Sequence, residues 1–362
     1  MRDADKWSMM TVNVRQMVLP AGRLPTSPQE RRACLDAYFD DILASVKAVP
    51  EGWEIDLNWP SMPDYYVDPH LDKGLTWWRA GTQIHDIYTQ VCHSPEGQIS
   101  LRDSWTLFSW SKWLVKRRER GLMTNDVVVL HVDDHNDLMT PRLTSQDGGW
   151  RDTIFFETFD LYDPNTVRLA ILRGSVGVGS FMSPFIHTVP HLQLRHLSQT
   201  APADKVQDAL LMRQTVADVL LDIGGQRPSV GILQQKKSLD DSLQTDIVGP
   251  YRLTPRLDYW LADLPDAPVL LHIDMDYFNN RYNGDSDWSA RRSSHDPGQP
   301  DIICKIDDLF DAMIESKVVS RIEDVSVALS PGFFPAELWE ASIARIQARL
   351  SAIGWTIALP RT

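Results

Sequence analysis

From residue 127 onward, short apolar runs bounded by polar clusters recur along the chain. They lie at 127–132 (VVVLHV), 167–173 (VRLAILR), 191–197 (HLQLRHL), 269–275 (VLLHIDM), 324–330 (DVSVALS) and 355–360 (WTIALP). Runs of this length without strict alternation predict strands buried on both faces. Between several of them apolar residues recur at helical spacing, at 204–221, 303–315 and 335–350. Strands alternating with helices imply a mainly parallel sheet covered on both sides, an α/β fold in three αβα layers. In such sheets ligands bind beyond the carboxyl ends of the strands. Before residue 127 the pattern is sparser. Residues 27–49 predict an amphipathic helix started by Ser27-Pro28, and 105–120 a helix with a basic last turn. Residues 58–81, dense in Pro, Gly and aromatics, predict an ordered loop or short hairpin.

Two of the predicted strands end in acids. VVVLHV runs into DDHND, and VLLHI into DMD. Asp133, His135 and Asp137 occupy alternate positions, which in extended chain places all three on one side. Asp274 and Asp276 repeat the arrangement. Taken singly, each cluster reads as a solvated turn or a helix cap. Taken together at the rim of one sheet, four carboxylates would resist ionising side by side unless cations accompanied them. Two divalent ions would balance the four charges. His131 and His272, each two residues before the first Asp, read as hydrogen-bonded core histidines in preference to partners of the ligands.

Composition narrows the function classes. The 362 residues are 43% hydrophobic, enough for a sizeable core. No run approaches the roughly 18 apolar residues of a membrane span, and the start lacks the order of a signal peptide, which predicts a cytoplasmic protein with no membrane contact. Three scattered cysteines, Cys34, Cys92 and Cys304, offer neither a disulfide framework nor a metal cage. A net charge of −13 argues against a nucleic-acid partner and favours a cationic substrate.

At Asp-x-His-x-Asp and Asp-x-Asp, and at DMDYFNNRYNGDSDW and ALSPGFFP, the sequence resembles the ureohydrolase (arginase/agmatinase) superfamily. It is closest to the branch that includes peptide arginases, which convert arginine residues of ribosomal precursor peptides to ornithine. The similarity runs from about Ser104 to Glu337. It implies an arginase-like metallohydrolase core over residues 101–362, with residues 1–100 as a helical and loop extension packed on it. It also implies two Mn²⁺ ions, with one ion as the lesser possibility. Asp133 and Asp274 fall where the family bridges both ions, Asp137 on one ion, and His135 and Asp276 on the other. The expected reaction is hydrolysis of the guanidinium group to urea and ornithine, with His135 and Asp276 at the reacting centre and Asp276 carrying the proton to the leaving amine. The expected partner is an arginine-containing precursor peptide, and the oligomeric state is open.

The sequence departs from the family in two places. Where a sixth ligand, a histidine, is expected, the chain reads LRDSW, which puts Ser104, or else Asp103, at its position; the first ion is then weakened or absent, or Asp103 replaces the histidine, or a ligand comes from elsewhere, with His85 and His93 nearest upstream. Trp150 stands near the family's proton-shuttle histidine. Asp285, Asp287, Glu337 and Trp150 are candidate substrate contacts, the three acids reading equally as turn or cap residues. Trp77, Trp78, Trp105, Trp110 and Trp150 could wall a peptide groove or fill the core. Two alternatives remain: a single-metal, deacetylase-like amide hydrolase, and a non-catalytic peptide-binding protein of the same fold.

Overall fold

The computed structural model describes residues 15–359 except 40–42, 59–65, 95–96, 123, 147, 202–205, 235–245, 286 and 291–294. It begins with β1 (Arg15–Pro20), α1 (Pro28–Phe39), β2 (Leu43–Val49) and β3 (Gly52–Asn58), the strands forming an antiparallel sheet in the order β1-β3-β2. The helix predicted over 27–49 therefore stops at Phe39. Its second half is a strand, because Val46 and Ala48 pair across the hairpin with Ile55 and Trp53, an alternation that a helical count of the same apolar residues hides. This sheet and α1 share a core, Leu35, Phe39, Ile55 and Leu57, with Ile154 and Leu220 of the main body.

Within 58–81, predicted as loop, Leu71–Trp78 is helix α2, which buries Leu71, Leu75 and Trp78. There follow β4 (Val91–His93), β5 (Gln98–Ser100), α3 (Trp105–Glu119) and β6 (Asp126–Val132). A three-stranded antiparallel sheet comes next, β7 (Leu143–Gln146), β8 (Gly149–Asp152) and β9 (Thr158–Phe159), and then α4 (Pro164–Leu172) and α5 (Met182–Thr188). The chain continues through β10 (His191–Leu197), β11 (Gln207–Ala217), β12 (Gln226–Gln234), β13 (Ile247–Thr254), α6 (Leu257–Trp260) and β14 (Val269–Asp274). It closes with α7 (Gln299–Glu315), β15 (Ile322–Ala328) and α8 (Trp339–Ala352).

Nine strands form the central sheet in the order β12-β11-β13-β10-β6-β14-β15-β5-β4. The six strands from β13 to β5 are mutually parallel, and β11 and β4 add antiparallel to either side. The expected α/β, three-layer αβα architecture with a mainly parallel central sheet is thus observed. Successive strand residues divide between the faces. Val128, Leu130 and Val132 of β6 join Leu271 and Ile273 of β14 under α2, α6, α7 and α8. Val127 and Val129 join Leu270 and Leu194 under α3, α4 and α5. Each such fully buried Val or Leu contributes about 1.5–3 kcal/mol, so the centre of the sheet is the most firmly held part of the molecule.

Three further expectations are corrected. Of residues 167–173, expected as a strand, 167–172 lie in helix α4 and Arg173 is its C-cap. Asp163 caps that helix by accepting the Asn165 N–H at 3.0 Å, Pro164 occupies its first turn, and Val167, Ala170 and Ile171 form its buried stripe. Residues 204–221, expected as helix, contain strand β11, which hydrogen-bonds on one side to β12 and on the other to β13. Two ladders of backbone bonds override a moderate helical pattern. Residues 355–359 are irregular, held by bonds such as Gln347 Nε2 to the Ile357 carbonyl at 3.1 Å. Among the described residues no helix is long and apolar enough to cross a membrane.

Candidate metal centre

The carboxyl ends of the parallel strands converge on a cavity of about 500 Å³. Five of its walls are the segments that follow β5 (Asp103), β6 (Asp133 to Asp137), β10 (Thr200), β14 (Asp276, Asn283) and β15 (Ser330, Phe333). β6 and β14 are adjacent, so the two acidic clusters that lie 137 or more residues apart in sequence meet in space.

The same local device shapes both clusters. Asp133 Oδ1 accepts the His135 N–H at 2.6 Å, and Asp274 Oδ1 accepts the Asp276 N–H at 3.0 Å. An Asp that bonds the amide two residues on turns the chain out of the strand and aims the next acid or imidazole into the same space. Asp276 links the clusters: its Oδ1 accepts the Asp134 N–H at 3.1 Å, and its Oδ2 lies 2.7 Å from His135 Nδ1. His135 Nε2 lies 3.0 Å from Asn283 Oδ1. The Ser330 hydroxyl donates to Asp274 Oδ2 at 2.5 Å. Asp137, Asn283 and Ser330 all have positive φ, 52°, 48° and 44°, so three of the six such non-glycine residues in the described structure line this cavity. Strained backbone of this kind persists only where the surroundings over-determine it, and it gathers at functional sites. Gly179, at φ 72°, is required for close approach: a Cβ there would sit 2.9 Å from Met139 Sδ, beside the Gly179 O to Met139 N–H bond.

Electrostatically the cluster is out of balance as it stands. Asp133, Asp137 and Asp274 are at most 4% exposed, and burial followed by their acidic neighbours pushes their carboxyls well above the usual range. Burial raises Asp103 and Asp134 to about 6. Burial alone would push the His135 imidazole down, but Asp276 and Asp133 outweigh it and raise it. Asp133 Oδ2, Asp137 Oδ2 and Asp103 Oδ1 are buried without a hydrogen-bond partner. A buried carboxylate oxygen in that state is costly, and a cation is the group that satisfies several at once. Two overlapping sets have ligand atoms all within 4.8 Å of one another, His131, Asp133, Asp137 and His272 in one and Asp133, His135 and Asp276 in the other. This buried His and Asp cluster could hold a metal ion, and its donors fit one.

The expected residues divide cleanly. Asp103, Asp133, His135, Asp137, Asp274 and Asp276 all line the cavity. Ser104 does not; it is buried at the start of α3 while Asp103 faces inward, its Oδ2 3.4 Å from the Gly179 N–H. His85 is a surface group beside Asp86, and His93 packs on Trp105 and Phe108 at the sheet's far edge, so neither reaches the cluster. Asp285, Asp287, Glu337 and Trp150 are not among the lining residues. Asp285 Oδ1 accepts the Asp287 N–H at 2.8 Å, Glu337 pairs with Arg281 at 2.5 Å, and Trp150 packs edge-on to His187. Trp78, Trp105 and Trp110 are core residues. His131 and His272 are fully buried and hydrogen-bonded, as the pattern favoured, yet they lie directly beneath the carboxylates. His196, Tyr251, Asn283 and Ser330, which also line the cavity, escape a sequence reading because no charged cluster flags them, and Asp134, though inside DDHND, falls between the alternate positions that the extended-chain reading selects. No protein-family model matches the chain, and no curated protein matches it.

Proposed function

We propose that the chain is a manganese-dependent hydrolase of the guanidinium group of arginine residues in a peptide, giving ornithine and urea. The observation that carries this reading is the set of orphaned, buried carboxylate oxygens of Asp103, Asp133 and Asp137 on the floor of a cavity whose other acids are Asp134, Asp274 and Asp276. Asp103, Asp133 and Asp137 would hold one ion, His135, Asp276 and Asp133 the other, with Asp274 between them. An oxygen-rich donor set of this kind suits Mn²⁺ better than softer metals. Bound there, two divalent cations would offset the carboxylate charge and lower the pKa of water enough for attack on a guanidinium carbon near neutral pH.

The chain's own residues do the rest. The acidic floor attracts a cationic head group. Leu101, Met139, Val178 and Phe333 give the cavity apolar walls along which an aliphatic stem can lie. Asp276, whose Oδ2 lies 2.7 Å from His135 Nδ1, would take up a proton and return it to the leaving amine.

Metal analysis and mass spectrometry test the reading together. Two Mn per chain and, for each converted arginine of a peptide, loss of the mass of one carbodiimide unit with release of urea are expected, and neither from Asp274→Ala protein. One metal per chain with cleavage of an N-acyl group would instead establish the single-metal amide hydrolase, and metal-loaded protein that leaves every arginine peptide unchanged would remove the enzymatic reading.

A further inference from the structure

Below Asp133 and Asp274, two residues back along their strands and on the same face of the sheet, the core does not return to aliphatic packing. His196 of β10, His131 of β6 and His272 of β14 stand side by side in register across three adjacent parallel strands. All three are at most 3% exposed, and the His131 ring lies 4.6 Å from that of His196 and 5.1 Å from that of His272. Burial pushes their imidazoles down, that of His196 to about 4 and that of His272 to about 3, so they are neutral.

In a neutral imidazole one nitrogen donates and the other accepts, and the partners decide which. His131 Nε2 is 2.9 Å from the main-chain oxygen of His135, which can only accept, so Nε2 carries the proton. Its Nδ1 therefore accepts from His272 Nδ1–H, 2.9 Å away. His196 Nε2 is 3.0 Å from the main-chain oxygen of Asp133 and donates to it, while its Nδ1, 2.9 Å from the Tyr251 hydroxyl, accepts.

The carbonyls of residues 133 and 135, alternate positions of the loop, thus point down into the imidazole row, while their side chains point up into the cavity. We propose that His131 and His196 are positioning residues, whose Nε2–H bonds to the carbonyls of His135 and Asp133 clamp the loop so that Asp133, His135 and Asp137 present their side chains to a metal. The clamp gives a role to imidazoles on a face of β6 and β10 whose deeper positions hold Val127, Val129, Leu192 and Leu194. A leucine at either position would leave one carbonyl, that of His135 or that of Asp133, without its donor, and a loop that can rotate it outward would carry its ligands with it. His131 Nε2 also lies 3.7 Å from Asp137 Oδ2 and 3.8 Å from Asp133 Oδ2, but it cannot ligate a cation while it donates to His135.

This inference rests on the metal-centre reading and not on the choice of substrate. Its test is Mn²⁺ titration of the full chain, parent and variants, with circular dichroism and thermal melting on the same samples. A parent chain that takes up no Mn²⁺ ends the metal-centre reading itself; the comparisons below presuppose that it binds. Leucine at either position removes the donor, and glutamine restores an N–H near the place of Nε2. His131→Leu and His196→Leu should fold and bind Mn²⁺ about 10-fold or more weakly, and His196→Gln should recover most of that loss. Folded leucine variants with parental affinity overturn the proposal. So do glutamine variants as weak as leucine, since loss of one ion from His131→Gln would make that imidazole a ligand and not a clamp. If neither leucine variant folds, Tyr251→Phe decides: removing only the hydroxyl that fixes the His196 tautomer should weaken Mn²⁺ binding several-fold in a folded chain, and parental affinity there refutes the clamp.

Discussion

Asp103 enters the cavity from the turn ahead of α3, one carboxylate oxygen near the Gly179 N–H and the other buried without a partner. Beside it Ser104 is equally buried but does not line the cavity. The two neighbours therefore make opposite predictions. Asp103→Ala should lose one of two Mn ions after dialysis, whereas Ser104→Ala should keep both; metal analysis of the two proteins side by side checks this, and two ions retained in Asp103→Ala would place its carboxyl outside the coordination shell. The candidate ligands of the two strand ends were legible in the sequence because each cluster is local: an apolar run, then acids at alternate positions, with the first acid turning the chain. His196 was not legible. Its role comes from standing in register with His131, 65 residues away, and that register is set by strand pairing and not by neighbours in sequence. Ser330 was hidden for a similar reason, since a serine before a proline says nothing of the Asp274 carboxylate it meets.

At the scale of elements, α3 packs on β15 through a buried polar contact. Asp324, 8% exposed on β15, accepts the Ser109 hydroxyl of α3 at 2.7 Å. Burial raises its carboxyl to about 6 from an ordinary 3.8, despite Ser109 and Lys112. A raised folded-state value means that the native chain holds this proton more tightly than the unfolded one. The contribution of Asp324 to stability is therefore fully present below about pH 4 and is lost as pH rises through 6, a difference of about 3 kcal/mol. Asp324→Asn lacks this titration. Its stability relative to the parent should rise by up to about 3 kcal/mol between pH 4 and 7.5 in urea unfolding, and a gap independent of pH would mean that the carboxyl ionises freely in the fold. Elements themselves were legible where one periodicity dominates, as in β6, β14 and α7. They failed where two compete: the Asp163-Pro164 cap, and not the apolar run after it, decides that 167–172 is helix, and partners on both sides decide that 207–217 is strand.

For the whole molecule, the balance between buried acids and cations should govern stability. Without metal, Asp133, Asp137 and Asp274 hold their protons well above the usual range, and Asp103 and Asp134 to about 6. Their contribution is thus complete below about pH 4 and is lost as pH rises through those values. The lowered imidazoles of His131, His196 and His272 work the other way, contributing above 6.5 and losing that contribution as pH falls; but they stay neutral with or without metal, so they cancel when the two forms are compared. Metal requires the carboxylates ionised, and its binding must therefore release protons and strengthen with pH. The loaded chain should melt above the chelated one by a margin that is small at pH 5.5 and grows to roughly 5 °C at pH 8 with Mn²⁺ at about 100 times its Kd. The net charge of −13 adds to the instability of the chelated form at the higher pH, and salt should relieve that part alone. Calorimetry at the two pH values, with and without chelator and at two salt concentrations, separates these effects. A margin equal at pH 5.5 and 8 would mean that the carboxylates are already ionised without metal, and the orphaned oxygens of Asp133 and Asp137 would then need a partner other than a cation.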